Sequence, residues 1–504
     1  MSNKSLYYDR FKTLSGNTYL YDGVTSVVVP DNGILEQIIR LKHQGSSDQE
    51  VMSQLSDTDI SPKELESALM FYNRWERNFQ GFSLARKEHH IPKVTAQDIK
   101  DTLDQGDIYI LILNVTEDCN FRCKYCYLSE AYDYTRNRTT KRMSFETAKA
   151  AIDYYYKLLD DYKFKKPNKR VNINFFGGEP LLEFELLKKC VEYAKANTTR
   201  EVAFNITTNG YLLTDKISDF LVENNFYISV SLDGARKNNT QRVMANDIPT
   251  FDRIVDNLKN FKKRYPDYAN IGILSVYDIN TDLDENVDFF GDPELPPVLR
   301  ATGVSNNNTD YYDQFQDSDY EKFRETMYRL RKEYLDKKMK SQPMSGYLQV
   351  FFESELFTVL MRKRHRDDNT GSIIPYTGTC VPGIRLSVRA DGTLDICERM
   401  NQEFPIGNVH TGYNYEALAN IVNKYNESIT ASCRECIGNK ICQICFAQVA
   451  GDKCFNYKPE ICKQIQEMIK NGNSIIYSIL EENPEAYTLE GMEKVIENMI
   501  KFEG

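Results

Sequence analysis

The sequence contains no run approaching the roughly 18 apolar residues of a membrane span, and Met1-Ser2-Asn3-Lys4-Ser5 forms no apolar signal region. Those two absences lead us to expect a cytoplasmic protein with no membrane partner. Positive charge is also in deficit. The 504 residues carry a formal net charge of −10, which argues against general nucleic-acid binding. A disulfide framework is not expected either, because twelve cysteines in a reducing compartment are better explained by metal. What is present is ordinary globular composition, 41% hydrophobic and 27% charged, over a length that suggests about three domains. All the cysteines except Cys190 fall in two fields.

The first field is Cys119-Asn120-Phe121-Arg122-Cys123-Lys124-Tyr125-Cys126-Tyr127. It follows the apolar run 108–115, whose length and polar flanks predict a buried strand feeding a ligand loop. Zinc motifs usually bring two cysteines and then a distant pair. Three thiolates can instead hold three irons of a [4Fe-4S] cube and leave the fourth open to a small molecule. The arrangement resembles the radical S-adenosylmethionine (SAM) superfamily, whose signature is three cysteines at this spacing followed by an aromatic, here Tyr127.

Beyond the loop, the pattern predicts strands over 171–176, 202–207, 226–232, 271–277 and 298–302. Helices over 144–162, 181–196, 214–223 and 251–264 alternate with them. Such alternation means parallel strands with crossover helices. With the superfamily resemblance it gives an α/β fold, a partial (β/α)6 TIM-type barrel over 106–305, with functional groups at the C-terminal ends of its strands. Gly177-Gly178-Glu179-Pro180 sits at such an end. In the family this motif holds the SAM amino group, with Glu179 as acceptor. Asn209 in Thr208-Asn209-Gly210, and Ser231 and Asp233 in Ser231-Leu232-Asp233-Gly234, close the next two strands; each is a simple turn or a cofactor contact. The resemblance places an arginine after the second of these motifs against the SAM carboxylate, and Arg242 stands there. Cys190 lies on the apolar stripe of its helix and reads as core.

Residues 1–90 read as a separate domain. Segments 17–22 and 25–29 are β-rich and meet at Asp22-Gly23, a hairpin signal. Three helical patterns follow, and Ser47/Glu50 and Ser61/Glu64 have capping-box spacing. This order resembles the winged-helix RiPP recognition element, a family that binds the leader of a ribosomally made precursor peptide as a strand added to the hairpin edge. A winged helix can also bind DNA. Residues 1–83, however, carry eight Lys or Arg against eleven Asp or Glu, a net of −3, the wrong sign for phosphate. Residues 91–105 are polar and read as a linker.

Residues 306–375 read as a helical bridge ending in the basic run Arg362-Lys363-Arg364-His365-Arg366. The second field, 376–465, holds Cys380, Cys397, Cys433, Cys436, Cys442, Cys445, Cys454 and Cys462. Two zinc sites are the alternative reading. The order closely resembles the SPASM domain, which carries two auxiliary [4Fe-4S] clusters. The resemblance implies one cluster on Cys380, Cys397 and Cys445 and another on Cys433, Cys436, Cys442 and Cys462. Where some relatives have a close pair of cysteines, this chain has only Cys380. Either Cys454 completes the first auxiliary cluster or that cluster offers an open iron. Glu398 follows Cys397; in some relatives an acidic residue here acts as a base near the substrate, and an anionic neighbour favours that role. C-terminal helices are expected over 466–504.

Together these resemblances imply a radical SAM enzyme that modifies a ribosomally synthesised precursor peptide. A 5′-deoxyadenosyl radical would form a thioether or carbon–carbon cross-link, with an electron donor such as flavodoxin or ferredoxin. The rivals are an anaerobic sulfatase-maturing enzyme, which makes formylglycine, and an iron–sulfur DNA-binding regulator.

Overall fold

The computed structural model describes residues 8–56, 60–82, 91, 93–105, 108–161, 170–361, 373–375, 377–433 and 436–488. The basic run 362–366 and the chain after 488 lie outside the described residues.

The N-terminal sheet has three strands where the sequence pattern gave two. β1 (Tyr8–Lys12), β2 (Thr18–Asp22) and β3 (Val27–Pro30) are antiparallel in the order β1-β2-β3. The turn after Asp22 is longer than a two-residue hairpin and β3 begins at Val27, because the carboxylate of Asp22 organises residues 23–26. Its Oδ1 accepts from the Val24 N–H at 2.9 Å and its Oδ2 from the Thr25 hydroxyl at 2.6 Å. Three helices follow: α1 (Ile34–His43), α2 (Asp48–Leu55) and α3 (Pro62–Phe79). Both expected capping boxes are formed, Ser47 with Glu50 and Ser61 with Glu64.

Asp22 also fastens the helices to the sheet. Fully buried, it accepts from the Trp75 indole N–H at 3.0 Å and the Phe82 N–H at 3.2 Å. Asp22→Ala removes the buried acceptor that those donors share, and we expect it to cost about 3 kcal/mol. Trp75 is the only tryptophan of the chain, so denaturant unfolding followed by its fluorescence reads this domain. An unchanged midpoint would deny the carboxylate its structural role.

Residues 91–105 are not merely a linker. α4 (Ala96–Gln105) buries Ile99 and Leu103 and packs on a helix of the C-terminal region. Then β4 (Ile110–Thr116), α5 (Phe145–Asp161), β5 (Val171–Gly177), α6 (Phe184–Ala196), β6 (Val202–Thr208), α7 (Asp215–Glu223) and β7 (Tyr227–Ser231) alternate. The series continues with α8 (Phe251–Arg264), β8 (Ile271–Tyr277), α9 (Leu283–Phe289) and β9 (Val298–Gly303). Every neighbouring pair from β4 to β9 is parallel. Leu111, Leu113, Ile173, Phe175, Phe204 and Ile206 join the helices in one core. Cys190 lies in that core, fully buried, as expected.

α10 (Asp317–Met339) and α11 (Gly346–Leu360) form the bridge. The chain then returns to the sheet. β10 (Arg385–Val388) pairs in parallel with β4, and β11 (Thr393–Asp395), β12 (Gly407–Asn408) and β13 (Gly412–Tyr413) extend it antiparallel to ten strands. α12 (Tyr415–Ser428), the short α13 (Phe446–Val449) and α14 (Pro459–Glu482) complete the described chain, and α12 is the helix that α4 packs on. The expected boundary at 465 falls inside α14, whose first turn carries Cys462, so cysteine field and C-terminal helix are one continuous piece.

Candidate functional site

The cysteine loop leaves the C-terminal end of β4 and is held by backbone. The Cys119 N–H donates to Asp118 Oδ1 at 2.8 Å, Arg122 N–H to the Val243 carbonyl at 2.6 Å and Lys124 N–H to the Gln241 carbonyl at 3.0 Å. The turn after β5 lies against the loop so tightly that it must be glycine. Gly177 has φ +142°, and a Cβ there would meet the Thr116 oxygen at 2.2 Å; a Cβ on Gly178 would meet the Asp118 oxygen at 2.1 Å. The Glu179 N–H donates to that same Asp118 carbonyl at 2.9 Å. Asn209 ties the next strand end to the loop, donating to Asn120 Oδ1 at 2.8 Å, with Cys119 Sγ at 3.9 Å.

Glu179 is 1% exposed. Its Oε1 accepts from the Leu181 N–H at 3.0 Å and the Thr208 hydroxyl at 2.7 Å, its Oε2 from the Asn209 N–H at 2.7 Å. A carboxylate has about four lone-pair sites, so three donors fix the group and leave room for one more. Burial raises its pKa against those donors.

Asp233 and Arg242 meet beside the thiols, joined by a residue the sequence reading passed over. Tyr125 donates to Asp233 Oδ2 at 2.5 Å, and Arg242 Nη1 donates to the Tyr125 oxygen at 2.8 Å, while Arg242 and Asp233 Oδ1 stand 3.7 Å apart. Burial pushes the Asp233 carboxyl up to about 6. Asp233 Oδ1 and Arg242 Nε are buried without a hydrogen-bond partner. Burial also pushes the Cys119 thiol up to about 12 and Cys123 to about 11, the latter eased by Arg242. A metal bound here would have to displace protons. Ser231, half-buried, ends β7 beside this group. An acceptor at Glu179, a cation at Arg242 and an orphaned acceptor at Asp233, around three thiols, fit an amino-acid sulfonium nucleoside on an iron–sulfur cube.

Tyr127 turns elsewhere. Its hydroxyl is buried without a partner, its ring lies 5.8 Å from the Arg399 guanidinium, and the charges nearest it are Glu398, Arg399 and Arg136. The signal for Tyr125 was an aromatic between the second and third cysteines rather than after the third.

Glu398 lies where the second cysteine field meets the sheet. Its carboxylate is 3.7 Å from Arg385 on β10, its Oε2 has no hydrogen-bond partner, and Arg136 donates to its backbone carbonyl. Asp395 is paired by Arg389 with two bonds of 2.6 Å, with Arg136 3.7 Å away. Arg136 was silent in the sequence because its partners, Asp395 and the Glu398 carbonyl, lie far along the chain.

The other thiols form two neighbourhoods. Burial raises Cys380 and Cys397, and both feel Cys445 and Glu398. Burial pushes Cys433 and Cys442 up to about 12; Cys433 feels Cys442, Cys436 and Cys462. Cys454 lies on the surface, at a tight turn bridging Ala450 to Phe455, with its sulfur 3.5 Å from Asn456 Oδ1. Among the described residues, no three His, Cys, Asp or Glu side chains converge as a single-ion site requires.

Residues 113–290 match the model of the Radical SAM superfamily. The chain contains a radical SAM domain. An uncharacterized protein of Methanocaldococcus jannaschii is 36% identical over 206 residues, 41% of this chain and 56% of that protein. A radical SAM cyclopropyl synthase, TigE, of Paramaledivibacter caminithermalis is 26% identical over 216 residues, 37% and 44% of the two chains. A cysteine-type anaerobic sulfatase-maturating enzyme of Clostridium novyi is 30% identical over 187 residues, 36% and 47%. The chain thus spans about half the length of these curated relatives. The fold is similar to native anSMEcpe with bound AdoMet, TM-score 0.51 at 20% identity, covering 73% of this chain and 98% of that one. With bound AdoMet and Cp18Cys peptide, the same protein gives TM-score 0.54 at 18% identity, covering 74% and 99%. The Radical SAM match implies a [4Fe-4S] cluster and SAM. Among the described residues no helix is long and apolar enough to cross a membrane.

Proposed function

We propose that the protein is a cytoplasmic radical SAM peptide maturase that closes a thioether or carbon–carbon cross-link in a ribosomally made precursor. The observation that carries this reading is the pairing of a SAM-type site with a separate N-terminal sheet whose β3 edge is unpaired among the described residues. The cyclopropyl synthase among its relatives, and the peptide bound by the anSMEcpe neighbour, support it.

In this reading Cys119, Cys123 and Cys126 hold the cluster. Glu179 accepts from the SAM ammonium, Arg242 faces its carboxylate, and Asp233 and Asn209 line the remainder. When bound, cluster and SAM supply a 5′-deoxyadenosyl radical by reductive cleavage of the sulfonium bond. Glu398, whose Oε2 accepts no hydrogen bond and stands 3.7 Å from Arg385, takes the proton that the substrate loses as the new bond forms, and the electron released with it would pass to an auxiliary cluster held by the second cysteine field. A flavodoxin or ferredoxin supplies the electron.

The second field is read as two auxiliary clusters, on Cys380, Cys397 and Cys445 and on Cys433, Cys436, Cys442 and Cys462. In this reading the first auxiliary cluster either takes Cys454 as its fourth ligand or keeps an open iron. Anaerobic reconstitution is then expected to approach about twelve iron and twelve sulfide per chain. Four iron with bound zinc would show that the second field is a zinc site.

The similarity to sulfatase-maturating enzymes favours a second reading, formylglycine formation. Mass spectrometry of cysteine-containing peptides incubated with reconstituted protein separates the two. Loss of two hydrogens supports cross-linking, and conversion of a thiol to an aldehyde supports the sulfatase reading.

A further inference from the structure

α14 does two things along one stripe. At its first turn it carries Cys462, and one turn later Gln466 donates to Cys436 Sγ at 3.5 Å. The same stripe, at 469/470, 474, 477/478 and 481, then meets the N-terminal region. Ser474 donates to the Lys12 carbonyl at 2.6 Å, the Leu14 N–H donates to the Ser478 hydroxyl at 2.9 Å, and Tyr19 donates to Glu481 at 2.9 Å. The Tyr477 ring lies 5.7 Å from Phe11 and 5.1 Å from Tyr19.

The cysteine loop itself takes part in this contact. Ile437 and Ile441, which lie between Cys436 and Cys442, join Ile469, Phe11, Tyr21 and Val28 in one small apolar core. A Cβ on Gly438 would stand 3.1 Å from Ile469 and 3.6 Å from Cys436 Sγ, so loop and helix touch directly. The N-terminal sheet therefore rests on a seat built from the loop and helix that present Cys436, Cys442 and Cys462.

We infer that metal bound by Cys433, Cys436, Cys442 and Cys462 is the fastener that holds the N-terminal sheet on the body of the enzyme. Loop and helix already touch through Ile437, Ile441 and Ile469 and the Gln466–Cys436 bond, and a cluster shared by their cysteines would lock that seam, since structural metal sites contribute folding energy directly. Without it, the apolar seat formed by Ile437, Ile441 and Ile469 loses its shape, and the sheet loses its partner. This set then has a mechanical role that Cys380, Cys397 and Cys445 do not share. The inference rests on the reading that the second field binds metal, but not on which peptide is modified.

Hydrogen exchange with mass spectrometry on the full-length, anaerobically reconstituted protein tests it. The Cys436→Ala/Cys462→Ala variant is compared with Cys380→Ala/Cys397→Ala and with wild type, and metal is counted in each. We expect amides in 8–30 and 469–481 to exchange at least about tenfold faster in the first variant and at the wild-type rate in the second. Amides of β4 to β6 should be unchanged in both, which separates release of the sheet from general unfolding. Phe11→Ala/Tyr477→Ala should release the sheet with metal content intact, placing the effect downstream of the metal. Equal protection of 8–30 in wild type and Cys436→Ala/Cys462→Ala, with wild type carrying metal that the variant lacks, overturns the fastener. Equal metal content in those two proteins overturns it too, and there the metal reading of these four cysteines fails with it.

Discussion

Replacing Cys119, Cys123 and Cys126 together by Ala is expected to reduce 5′-deoxyadenosine formation from SAM to background. The loop offers no substitute ligand: Tyr125 is engaged with Asp233 and Arg242, and Tyr127 faces Glu398 and Arg399. Three thiolates are the requirement for an iron open to the cofactor. Iron in the second field should remain, because its cysteines belong to other elements, so total iron falls by about a third. Normal 5′-deoxyadenosine release from the triple variant, by chromatography after dithionite reduction, would remove the catalytic role from this loop.

The second large effect is expected at the β3 edge. The Asp31 N–H donates to the Thr18 carbonyl at 2.9 Å, which makes that pair hydrogen-bonded and fixes the alternation along β2 and β3. Leu20 with Val29 is then hydrogen-bonded, and Tyr21 with Val28 is not, so the Val28 N–H and C=O point to the open side. A leader added as a strand would bond there. Val28→Pro removes the donor and is expected to weaken binding of a labelled precursor peptide by about tenfold or more, the loss of one or two main-chain bonds. Modification at low peptide concentration should fall with it, since docking supplies effective concentration. SAM cleavage should be unaffected, because the cofactor residues all lie beyond the N-terminal domain. Deleting residues 1–90 should act likewise, but it uncovers Ile441, Ile469 and Tyr477, so the point substitution is the cleaner arm. Val28→Ala keeps the N–H while trimming the packing, and serves as its control. Equal peptide affinity of wild type and Val28→Pro, by fluorescence titration, would refute strand addition and bring the sulfatase reading forward.

Local grammar carried the readable part of the sequence. The capping boxes at Ser47 and Ser61, the glycine turn at Gly177-Gly178 and the alternation from β4 to β9 are written within a few residues each. What could not be read depends on distant partners. β1 shows only Tyr8 and Phe11 as buried positions in five residues, and Phe11 is covered by Tyr477, far along the chain, besides Tyr19 of β2. α4 has two deeply buried apolar residues in ten, a full stripe once α12 lies against it, but polar when read alone. β10 is four residues long and gains its place from β4. At the site, three cysteines were legible as a chelating loop. The trio of Tyr125, Asp233 and Arg242 needed three separate segments to be brought together.

The pairing of β10 with β4 also sets a clock on synthesis. Asn114 donates to Ser387 across that seam, and the two residues are 273 positions apart. At ribosomal rates of about 5–20 residues per second, β4 leaves the ribosome roughly 15–50 seconds before its neighbour exists. Through that interval a strand buried along its whole length in the finished protein has one edge unpaired, the condition under which nascent chains aggregate or recruit chaperones.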